Sequence, residues 1–387
     1  MPSGGILTAM KIGIDTFGCG GGNSWAGLYL SHILKYVRNS EELRFELFGW
    51  EYDRYEFGEA GGGMDFIPRC FYNGKTANAL WHIFKYPRFA RDRGYGACFF
   101  PAAHRQPPYH SPCPSVGVIH DMVPFWGTFR TRLHLGPLLR MVMPHSLRRL
   151  DRIIAVSRWV KEQLVEVVGV KENRIEVVPN GVDHSAFYPR EYPAGVDIAF
   201  KPFSIKRPYI LYVSRIDHPV KNHVRLIRAF DIFKERTGLP HRLVLAGRDS
   251  TEADRVKAAA EAAKFRGDIF FTERFPVGGL PELYAAADFS VLPSLCEGFG
   301  MGVLESMASG IPVACARAGA LPEVADNAAL YFDPESPEDM ADRMTSLACD
   351  RVLHAECVRL GIERAAAFSW DKCAERTMAI IKEAGNL

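Results

Sequence analysis

The sequence predicts an α/β protein made of two Rossmann-like domains that face a cleft. Three observations lead to this prediction. The chain has 387 residues, more than one ordinary hydrophobic core organises, so two domains are expected. Short apolar strand patterns alternate with helix patterns, which indicates parallel sheets covered by helices. This alternation stops in a stretch containing several prolines and then begins again.

The order of the predicted elements defines the domains. In the first half, strands are expected at 11–15, 43–48, 97–100, 115–119, 152–156 and 174–178, and helices at 25–37 and 158–168. In the second half, strands are expected at 209–214, 241–246, 268–271, 289–292 and 311–315, and helices at 221–236, 252–264 and 280–287. We therefore expect an N-terminal domain at 1–187, a linker at 188–207, a C-terminal domain at 208–370, and a final helix at 371–387 that can return to the first domain.

Composition narrows the class of protein. Hydrophobic residues make up 48% of the chain and charged residues 24%, as in a water-soluble globular protein. No apolar run approaches the roughly 18 residues that cross a bilayer, and the N-terminus does not resemble a secretion signal. The nine cysteines are scattered without a C-x-x-C motif, so reduced thiols of a cytoplasmic protein are expected.

Arginine is concentrated between residues 101 and 150. This stretch has six arginines and one acidic residue, Asp121, among apolar residues such as Trp126 and Phe129. One interpretation is a solvated helix face. The other is a surface at 130–149 that contacts anionic lipid headgroups at the inner face of the cell membrane.

The segment from Pro293 to Val313 is the most informative part of the chain. Glu297 and Glu305 flank a glycine-broken stretch that leaves a strand and enters a helix. Gly298 and Gly300 keep side chains away from the helix N-terminus, so backbone N–H groups there can face an anion. Carboxylates would repel a phosphate and are better suited to accept hydrogen bonds from sugar and ribose hydroxyls. Together these features indicate a nucleotide-sugar site.

This segment resembles the E-x7-E signature of retaining glycosyltransferases of family 4, which have the GT-B architecture. Gly-Phe-Gly after the first glutamate and Ala-Ser-Gly-Ile-Pro-Val after the second carry the resemblance. It implies that Glu297 is a catalytic residue at the donor sugar and that Glu305 contacts the ribose. Cys296, Met301 and Gly302 differ from residues common in the family, so the donor sugar stays open.

Two basic residues open the second domain. Arg215 follows a strand, and Lys221 is expected to start the next helix. They could clamp a diphosphate from the side opposite the glycine turn, without a metal. Two exposed cations are the alternative, but the segment is similar to the family's Ser-Arg-x(n)-Lys-Asn pattern. The resemblance also implies that Gly247 and Arg248 lie at the nucleoside.

Two motifs of the first half complete the predicted site. His120 and Asp121 follow a strand and resemble the family's His-Asp-x-x-Pro element on the acceptor side. A neutral imidazole there could hydrogen-bond a sugar hydroxyl, with Asp121 orienting it or contacting the acceptor. After the first strand, a glycine loop carries Asn23 where G-x-G-x-x-G closes, which favours a phosphate or sugar loop over a dinucleotide site. The residues expected at the donor diphosphate are Arg215, Lys221, Gly298, Phe299, Gly300, Met301, Gly21 and Gly22.

The resemblance implies a retaining transfer from a nucleotide-diphosphate sugar to a saccharide or lipid-linked acceptor in cell-surface glycan synthesis. GDP-mannose is the first candidate donor and a UDP-sugar the next. A GT-B-like nucleotide-sugar epimerase and a non-catalytic nucleotide-sugar-binding subunit are the alternatives. The sequence has no D-x-D motif, no Walker motif and no recognised nucleic-acid-binding pattern, so no metal, other cofactor or nucleic-acid partner is expected.

Overall fold

The computed structural model describes residues 9–386 except 21–23, 41, 61, 63, 70–74, 123–136, 193–196, 201–202, 274 and 276. The chain forms two compact units. The first comprises Met1–Gly181 together with Trp370–Leu387, and the second comprises Val182–Ser369.

A seven-stranded parallel sheet forms the centre of the first unit. Its strands are β1 (Met10–Asp15), β2 (Leu43–Gly49), β3 (Asp65–Pro68), β4 (Ala97–Phe100), β5 (Ser115–Ile119), β6 (Arg152–Ala155) and β7 (Ile175–Val177). They lie in the order β3-β2-β1-β4-β5-β6-β7. The chain therefore reverses direction across the sheet between β1 and β4, as in a Rossmann fold.

Helices cover this sheet. They are α1 (Trp25–Tyr36), α2 (Asp53–Ala60), α3 (Lys75–Leu80), α4 (Tyr86–Arg93), α5 (Pro137–Arg149) and α6 (Arg158–Gln163). A π-helical turn, Trp81–Lys85, joins α3 to α4, and another, Leu164–Val168, extends α6. Ser24 and Ser157 cap α1 and α6 by accepting a hydrogen bond from a first-turn amide, which fixes where each helix begins.

The last helix of the chain belongs to the first unit. This helix, α14 (Trp370–Ala384), packs against α1. The hydroxyls of Tyr29 and Thr377 lie 2.8 Å apart in the core, and the Trp370 ring stacks on His32 with 4.4 Å between centroids. Ile380 and Ile381 are also buried, so burial of one apolar face holds the helix in place.

A six-stranded parallel sheet forms the centre of the second unit, in the order β12-β11-β10-β13-β14-β15. Its strands are β10 (Tyr209–Val213), β11 (Arg242–Ala246), β12 (Ile269–Phe271), β13 (Phe289–Leu292), β14 (Val313–Ala316) and β15 (Ala329–Phe332). Its helices are α7 (His223–Thr237), α8 (Ala253–Glu261), α9 (Leu280–Ala285), α10 (Met301–Ala308), α11 (Leu321–Ala325), α12 (Pro337–Cys349) and α13 (Arg351–Ala365). The chain reverses direction between β10 and β13, which is where such sheets bind ligands.

The structure corrects the predicted linker at 188–207. The chain divides at Gly181, and part of the segment forms an antiparallel hairpin of β8 (Ile198–Phe200) and β9 (Phe203–Ile205). Ile198 and Ile205 are 4% and 2% exposed and join the core of the second unit. Their burial explains why a stretch interrupted by prolines still belongs to a domain.

Candidate active site

The loops after β10 and β13 bring Lys221 and Glu297 together at the reversal point of the second sheet. Lys221 Nζ lies 2.5 Å from Glu297 Oε1, with the two side chains 17% and 19% exposed. Ser294 Oγ donates to the same carboxylate oxygen at 2.7 Å. The sequence predicted both charged residues as part of one site, and the structure brings them into direct contact.

The turn before α7 sets the position of Lys221. Asn222 adopts a left-handed conformation (φ +58°), and its side-chain amide donates to the carbonyls of Pro293 and Pro334 at 2.9 and 2.7 Å. The Leu295 amide donates to the Val220 carbonyl at 2.9 Å. The helix therefore begins at His223, not at Lys221 as predicted, because Asn222 is held by two carbonyls of neighbouring loops.

A buried tyrosine, Tyr212, hydrogen-bonds to the backbone of Lys221. The Tyr212 hydroxyl lies 2.9 Å from Ser294 Oγ and donates to the Lys221 carbonyl at 3.0 Å. Tyr212 and Ser294 are 2% and 0% exposed. The sequence analysis missed both residues. The available signal was a tyrosine within β10 and a serine just after β13, which is the neighbour of β10 in the sheet.

The charge of Glu297 controls the protonation of Lys221. Burial on its own lowers the pKa of Lys221, but attraction to Glu297 outweighs burial and raises the pKa to about 12. Arg215 lies close enough to oppose this increase slightly. Lys221 is therefore cationic at neutral pH and can bind an anion.

The glycine turn 298–300 leads into α10. Gly300 has φ +97° and precedes the helix without a side-chain cap, and a Cβ there would lie 2.6 Å from a Leu321 methyl. Gly319, at φ +57°, packs against the Glu297 backbone, where a Cβ would lie 2.4 Å from the carbonyl oxygen. Both positions need glycine, for conformation and for space.

Phe299 lies in this turn and Met301 begins α10, and both side chains are buried, 5% and 8% exposed. The Phe299 ring packs edge-on against Phe368 at 6.0 Å. Because their side chains face the core, any contact of these two residues with a diphosphate would have to use backbone N–H groups at the start of α10.

Glu305 lies one turn into α10 and is 3% exposed. Its Oε2 atom has no hydrogen-bond partner within the described part of the chain. Burial raises the pKa of this carboxyl to about 7, against the opposing effect of a hydrogen bond with Tyr284. A buried carboxylate oxygen without a donor is costly, so this atom is suited to a hydroxyl supplied by a ligand.

The other predicted nucleotide residues lie at the ends of β10 and β11. Gly247 (φ +153°) faces the Ser214 carbonyl, where a Cβ would be only 1.9 Å from the oxygen, so its role is close packing of two strand ends. Arg248 is exposed, and its carbonyl accepts from the Ile216 amide at 3.0 Å. Arg215 is 54% exposed and lies 3.5 Å from the Asp217 carboxylate.

In the first unit, His120 follows β5 and is buried. Its Nε2 atom lies 2.9 Å from the Pro101 carbonyl, while Nδ1 has no partner among the described residues. Since a carbonyl only accepts, Nε2 carries the proton and Nδ1 is left as an acceptor. Burial, with help from nearby His104, lowers the pKa of His120 to about 3, so the ring is neutral. Asp121 follows it and is half-buried.

A polar cluster that the sequence analysis missed lies at the end of β1. Asp15 Oδ2 is 2.7 Å from His82 Nε2, both 2% exposed, and His82 Nδ1 is 2.8 Å from the Asn78 carbonyl. Beside them, Thr16 donates to Asp53 at 2.6 Å. Burial raises the pKa of Asp15 and brings that of Asp53 to about 6. The sequence signal for this cluster was Asp15, an aspartate at the end of an apolar strand.

The glycine loop follows this cluster. Gly18 and Gly20 have φ of +82° and +66°, and Arg105 donates to the Gly18 carbonyl at 2.9 Å. The predicted contacts Gly21 and Gly22 lie outside the described residues, as do residues 130–136 of the predicted membrane segment.

The described ranges contain no group of three or more His, Cys, Asp or Glu placed to hold a metal ion. Among the same residues, no helix is long and apolar enough to cross a membrane.

Two family models match the chain. The model described as Glycosyltransferase Family 4 matches residues 64–186, and the model described as Glycosyl transferases group 1 matches residues 197–364. The chain is 29% identical over 237 residues to O-antigen chain mannosyltransferase B of Escherichia coli, and the aligned region covers 61% of this chain and 62% of that protein. It is 31% identical over 243 residues to D-inositol 3-phosphate glycosyltransferase of Acidothermus cellulolyticus, where the aligned region covers 60% of this chain and 53% of that protein. The match thus spans between half and two thirds of these curated relatives.

A solved structure extends the likeness to the whole chain. Anabaena HepE in complex with UDP-glucose superposes with a TM-score of 0.72 at 19% identity, covering 98% of this chain and 100% of that one. This similarity confirms the predicted fold class of two Rossmann-like domains, as in GT-B proteins.

Proposed function

Because the chain belongs to family 4 of the glycosyltransferases, we propose that it moves a sugar from a nucleotide-diphosphate sugar to a hydroxyl of a saccharide or lipid-linked acceptor in cell-surface glycan synthesis. One observation carries the proposal. Lys221, Glu297 and Ser294 form a hydrogen-bonded cluster at the reversal point of the second sheet, next to the helix that holds Glu305.

Each chemical part of the donor has a suitable group in or near this cluster. Lys221, Arg215 and the N-terminus of α10 supply positive charge for the diphosphate. The unpartnered Glu305 oxygen accepts from a ribose hydroxyl. Glu297 places negative charge beside the anomeric carbon, where positive charge develops as the leaving group departs. Its two donors, Lys221 and Ser294, keep the carboxylate in one orientation.

The proposed step retains the configuration of the sugar. The bond from the anomeric carbon to the phosphate oxygen breaks, and the acceptor oxygen bonds to the same face of that carbon. The acceptor proton passes to the departing phosphate oxygen, so no covalent sugar–enzyme intermediate forms. This route rests on the family resemblance, and it requires no metal ion because side-chain cations stabilise the leaving group.

In the first unit, His120 supports the acceptor side of the proposal. Its free Nδ1 lone pair can accept from a sugar hydroxyl but cannot donate to one, because the proton is on Nε2. Asp121 is a second acceptor beside it.

The donor is proposed as GDP-mannose first and a UDP-sugar next. Similarity to O-antigen chain mannosyltransferase B supports a mannosyl donor, and the UDP-glucose complex of HepE supports a UDP-sugar. The ribose contact through Glu305 suits either, because both nucleotides carry the same ribose hydroxyls.

Measuring donor consumption with and without acceptor tests the proposal. The purified chain is incubated with GDP-mannose or UDP-glucose and a panel of saccharide and polyprenyl-linked acceptors, and products are followed by mass spectrometry. Release of nucleoside diphosphate that depends on an acceptor, with a new glycoside of the added mass, is the expected result. Release without any acceptor would instead favour an epimerase, and binding without turnover of any donor would favour a non-catalytic subunit.

We also propose that the protein acts in the cytoplasm and that its segment 130–149 makes peripheral contact with anionic membranes. All eight cysteines within the described residues are free thiols, in keeping with a reducing compartment. Of the proposed membrane segment, 137–149 forms α5, whose last turn exposes Arg148 and Arg149. Flotation with neutral and anionic vesicles at low salt tests this contact, and equal recovery with both would contradict it.

A further inference from the structure

Two cysteines of the first unit lie side by side at the edge of its sheet opposite the one that carries His120. Cys98 is the second residue of β4, and Cys113 comes two residues before β5, the strand that pairs with β4. Their Sγ atoms are 3.6 Å apart. We propose that Cys98 and Cys113 form a redox-active dithiol, a site at which peroxides oxidise the pair to a reversible disulfide.

The backbone of the two parallel strands holds the thiols next to each other. Ser115 of β5 lies directly opposite Cys98, and the Cys98 amide donates to the Pro114 carbonyl at 2.8 Å. Cys113 therefore adjoins a residue that is hydrogen-bonded to its partner cysteine. A disulfide of about 2.05 Å requires the sulfurs to approach by about 1.5 Å, which side-chain rotation and a small shift of the segment before β5 can supply.

Hydroxyl groups complete a polar ring around the pair. Cys113 Sγ is 3.7 Å from Ser111 Oγ, which lies 2.9 Å from the Tyr86 hydroxyl. Tyr86 in turn hydrogen-bonds with both cysteines. Tyr86 is 0% exposed and packs edge-on against Phe100 at 5.4 Å, so the apolar core fixes its hydroxyl. The ring therefore offers several donors to a negative charge on Cys113.

These surroundings give the two thiols different roles. Hydrogen bonds, first from Cys98 and then from Ser111 and Tyr86, outweigh burial and the nearby Asp151 carboxylate and lower the pKa of Cys113 to about 7. Burial raises the pKa of Cys98 well above its usual value. Cys113 is also half-buried, whereas Cys98 is 0% exposed. At neutral pH, Cys113 thus has the reactive thiolate form within reach of solvent, and Cys98 is a protonated thiol beside it.

The two roles define a balanced reaction with hydrogen peroxide. The Cys113 thiolate attacks one peroxide oxygen, the O–O bond breaks, and hydroxide leaves, so that the sulfur is oxidised by two electrons to a sulfenic acid. The Cys98 sulfur then bonds to the Cys113 sulfur, and the S–O bond breaks. The Cys98 proton leaves with that oxygen as water. Two small thiols, such as glutathione, reduce the disulfide by exchange and leave as their own disulfide.

Peptide mapping of the full chain after peroxide treatment tests the inference. The reduced protein is freed of reductant, treated with hydrogen peroxide at pH 7, blocked with iodoacetamide and digested with trypsin. Cleavage after Arg105 places Cys98 in peptide 94–105 and Cys113 in peptide 106–130, each as the single cysteine. The expected product is these two peptides joined, lighter by two hydrogens than their sum. The joined product should be lost after incubation with glutathione.

Two variants separate the steps of the reaction. Cys113→Ser should abolish the joined peptides, because it removes the sulfur that reacts with peroxide. Cys98→Ala keeps that sulfur and removes its partner, so dimedone, a reagent for sulfenic acids, should label Cys113 in this variant but not in the wild type. The rate of alkylation of Cys113 should rise with pH around a midpoint of about 7 in the wild type. Cys98→Ala should move this midpoint upward, since the S–H donor is lost.

Cys349 is the control within the same molecule. It is an exposed free thiol at the end of α12, and dimedone should label it equally in the wild type and in Cys98→Ala. Peroxide that leaves peptides 94–105 and 106–130 separate, or that joins Cys113 to another cysteine instead, would overturn the inference. So would equal dimedone labelling of Cys113 in the wild type and Cys98→Ala. The wild-type map decides the matter even if Cys98→Ala folds poorly.

Sugar transfer is a separate measurement, because the dithiol lies away from the proposed site. Cys113 and His120 stand at opposite ends of β5, about 20 Å apart at about 3.3 Å per residue. In the presence of reductant, Cys113→Ser should therefore transfer sugar at the wild-type rate. If the wild type itself transfers nothing, the proposed function fails while the peptide map still decides the role of the cysteine pair.

Discussion

Replacing Lys221 with alanine should weaken nucleoside-diphosphate binding by a predictable amount. A hydrogen bond to a charged group contributes about 1.5–3 kcal/mol, so the affinity should fall by about 10- to 150-fold. The structure adds a second effect. Glu297 Oε1 lies 2.5 Å from Lys221 Nζ, and the variant leaves this carboxylate uncompensated next to the diphosphate. The upper part of the range is therefore expected.

Calorimetry with GDP and with UDP, in EDTA, measures this loss. Lys264→Ala is the matched control, since Lys264 also pairs with a carboxylate, Glu235 at 2.7 Å, near the C-terminal end of α7 and so at the opposite end of that helix from Lys221. It should bind as the wild type. The double variant Lys221→Ala, Glu297→Gln should regain part of the lost affinity, because the repulsive charge is gone. Unchanged affinity in Lys221→Ala would refute the diphosphate assignment.

Four further predictions follow from the same site. Transfer activity should survive EDTA, because side chains supply the positive charge; complete loss that a divalent metal restores would contradict this. Ser294→Ala should lower turnover by about tenfold through a less well oriented Glu297, with nucleotide affinity retained in calorimetry. The carboxyl of Glu305 has its pKa raised to about 7, so its burial costs stability as pH rises from about 4.5 to 7. The free energy of unfolding in urea should therefore rise for Glu305→Gln, relative to the wild type, by up to about 3 kcal/mol between pH 5 and pH 8. A difference that does not change with pH would contradict this. Gly300→Ala should destabilise by about 1–3 kcal/mol because of its φ of +97° and the Leu321 methyl, whereas Gly267→Ala, with open space around it, should not.

The regular parts of the fold could be predicted from sequence because parallel strands are buried on both faces. Phe289–Leu292 and Val313–Ala316 are entirely buried, and their apolar runs indicated strands. The hairpin Ile198–Phe200 with Phe203–Ile205 was missed because prolines near it suggested a linker, and burial of two isoleucines outweighed that local signal.

Only part of the site could be predicted from the sequence. Glu297, Glu305 and Lys221 stand in a pattern that a family resemblance identifies. Tyr212 and Ser294 could not be found that way, since they lie 82 positions apart in the sequence and meet only in the folded protein. Likewise, the start of α7 at His223 depends on carbonyls of Pro293 and Pro334, which lie far away in the chain.

Turnover of Glu297→Gln at saturating donor tests the central claim most directly. The change keeps the size of the side chain and removes its charge, so the anomeric carbon loses electrostatic stabilisation worth about 10²–10³ in turnover. Nucleoside-diphosphate affinity, measured in parallel, should be unchanged or slightly higher because a negative charge beside the diphosphate is lost. A large fall in turnover with affinity retained is the predicted result, and near wild-type turnover would contradict the assignment of this cluster to catalysis.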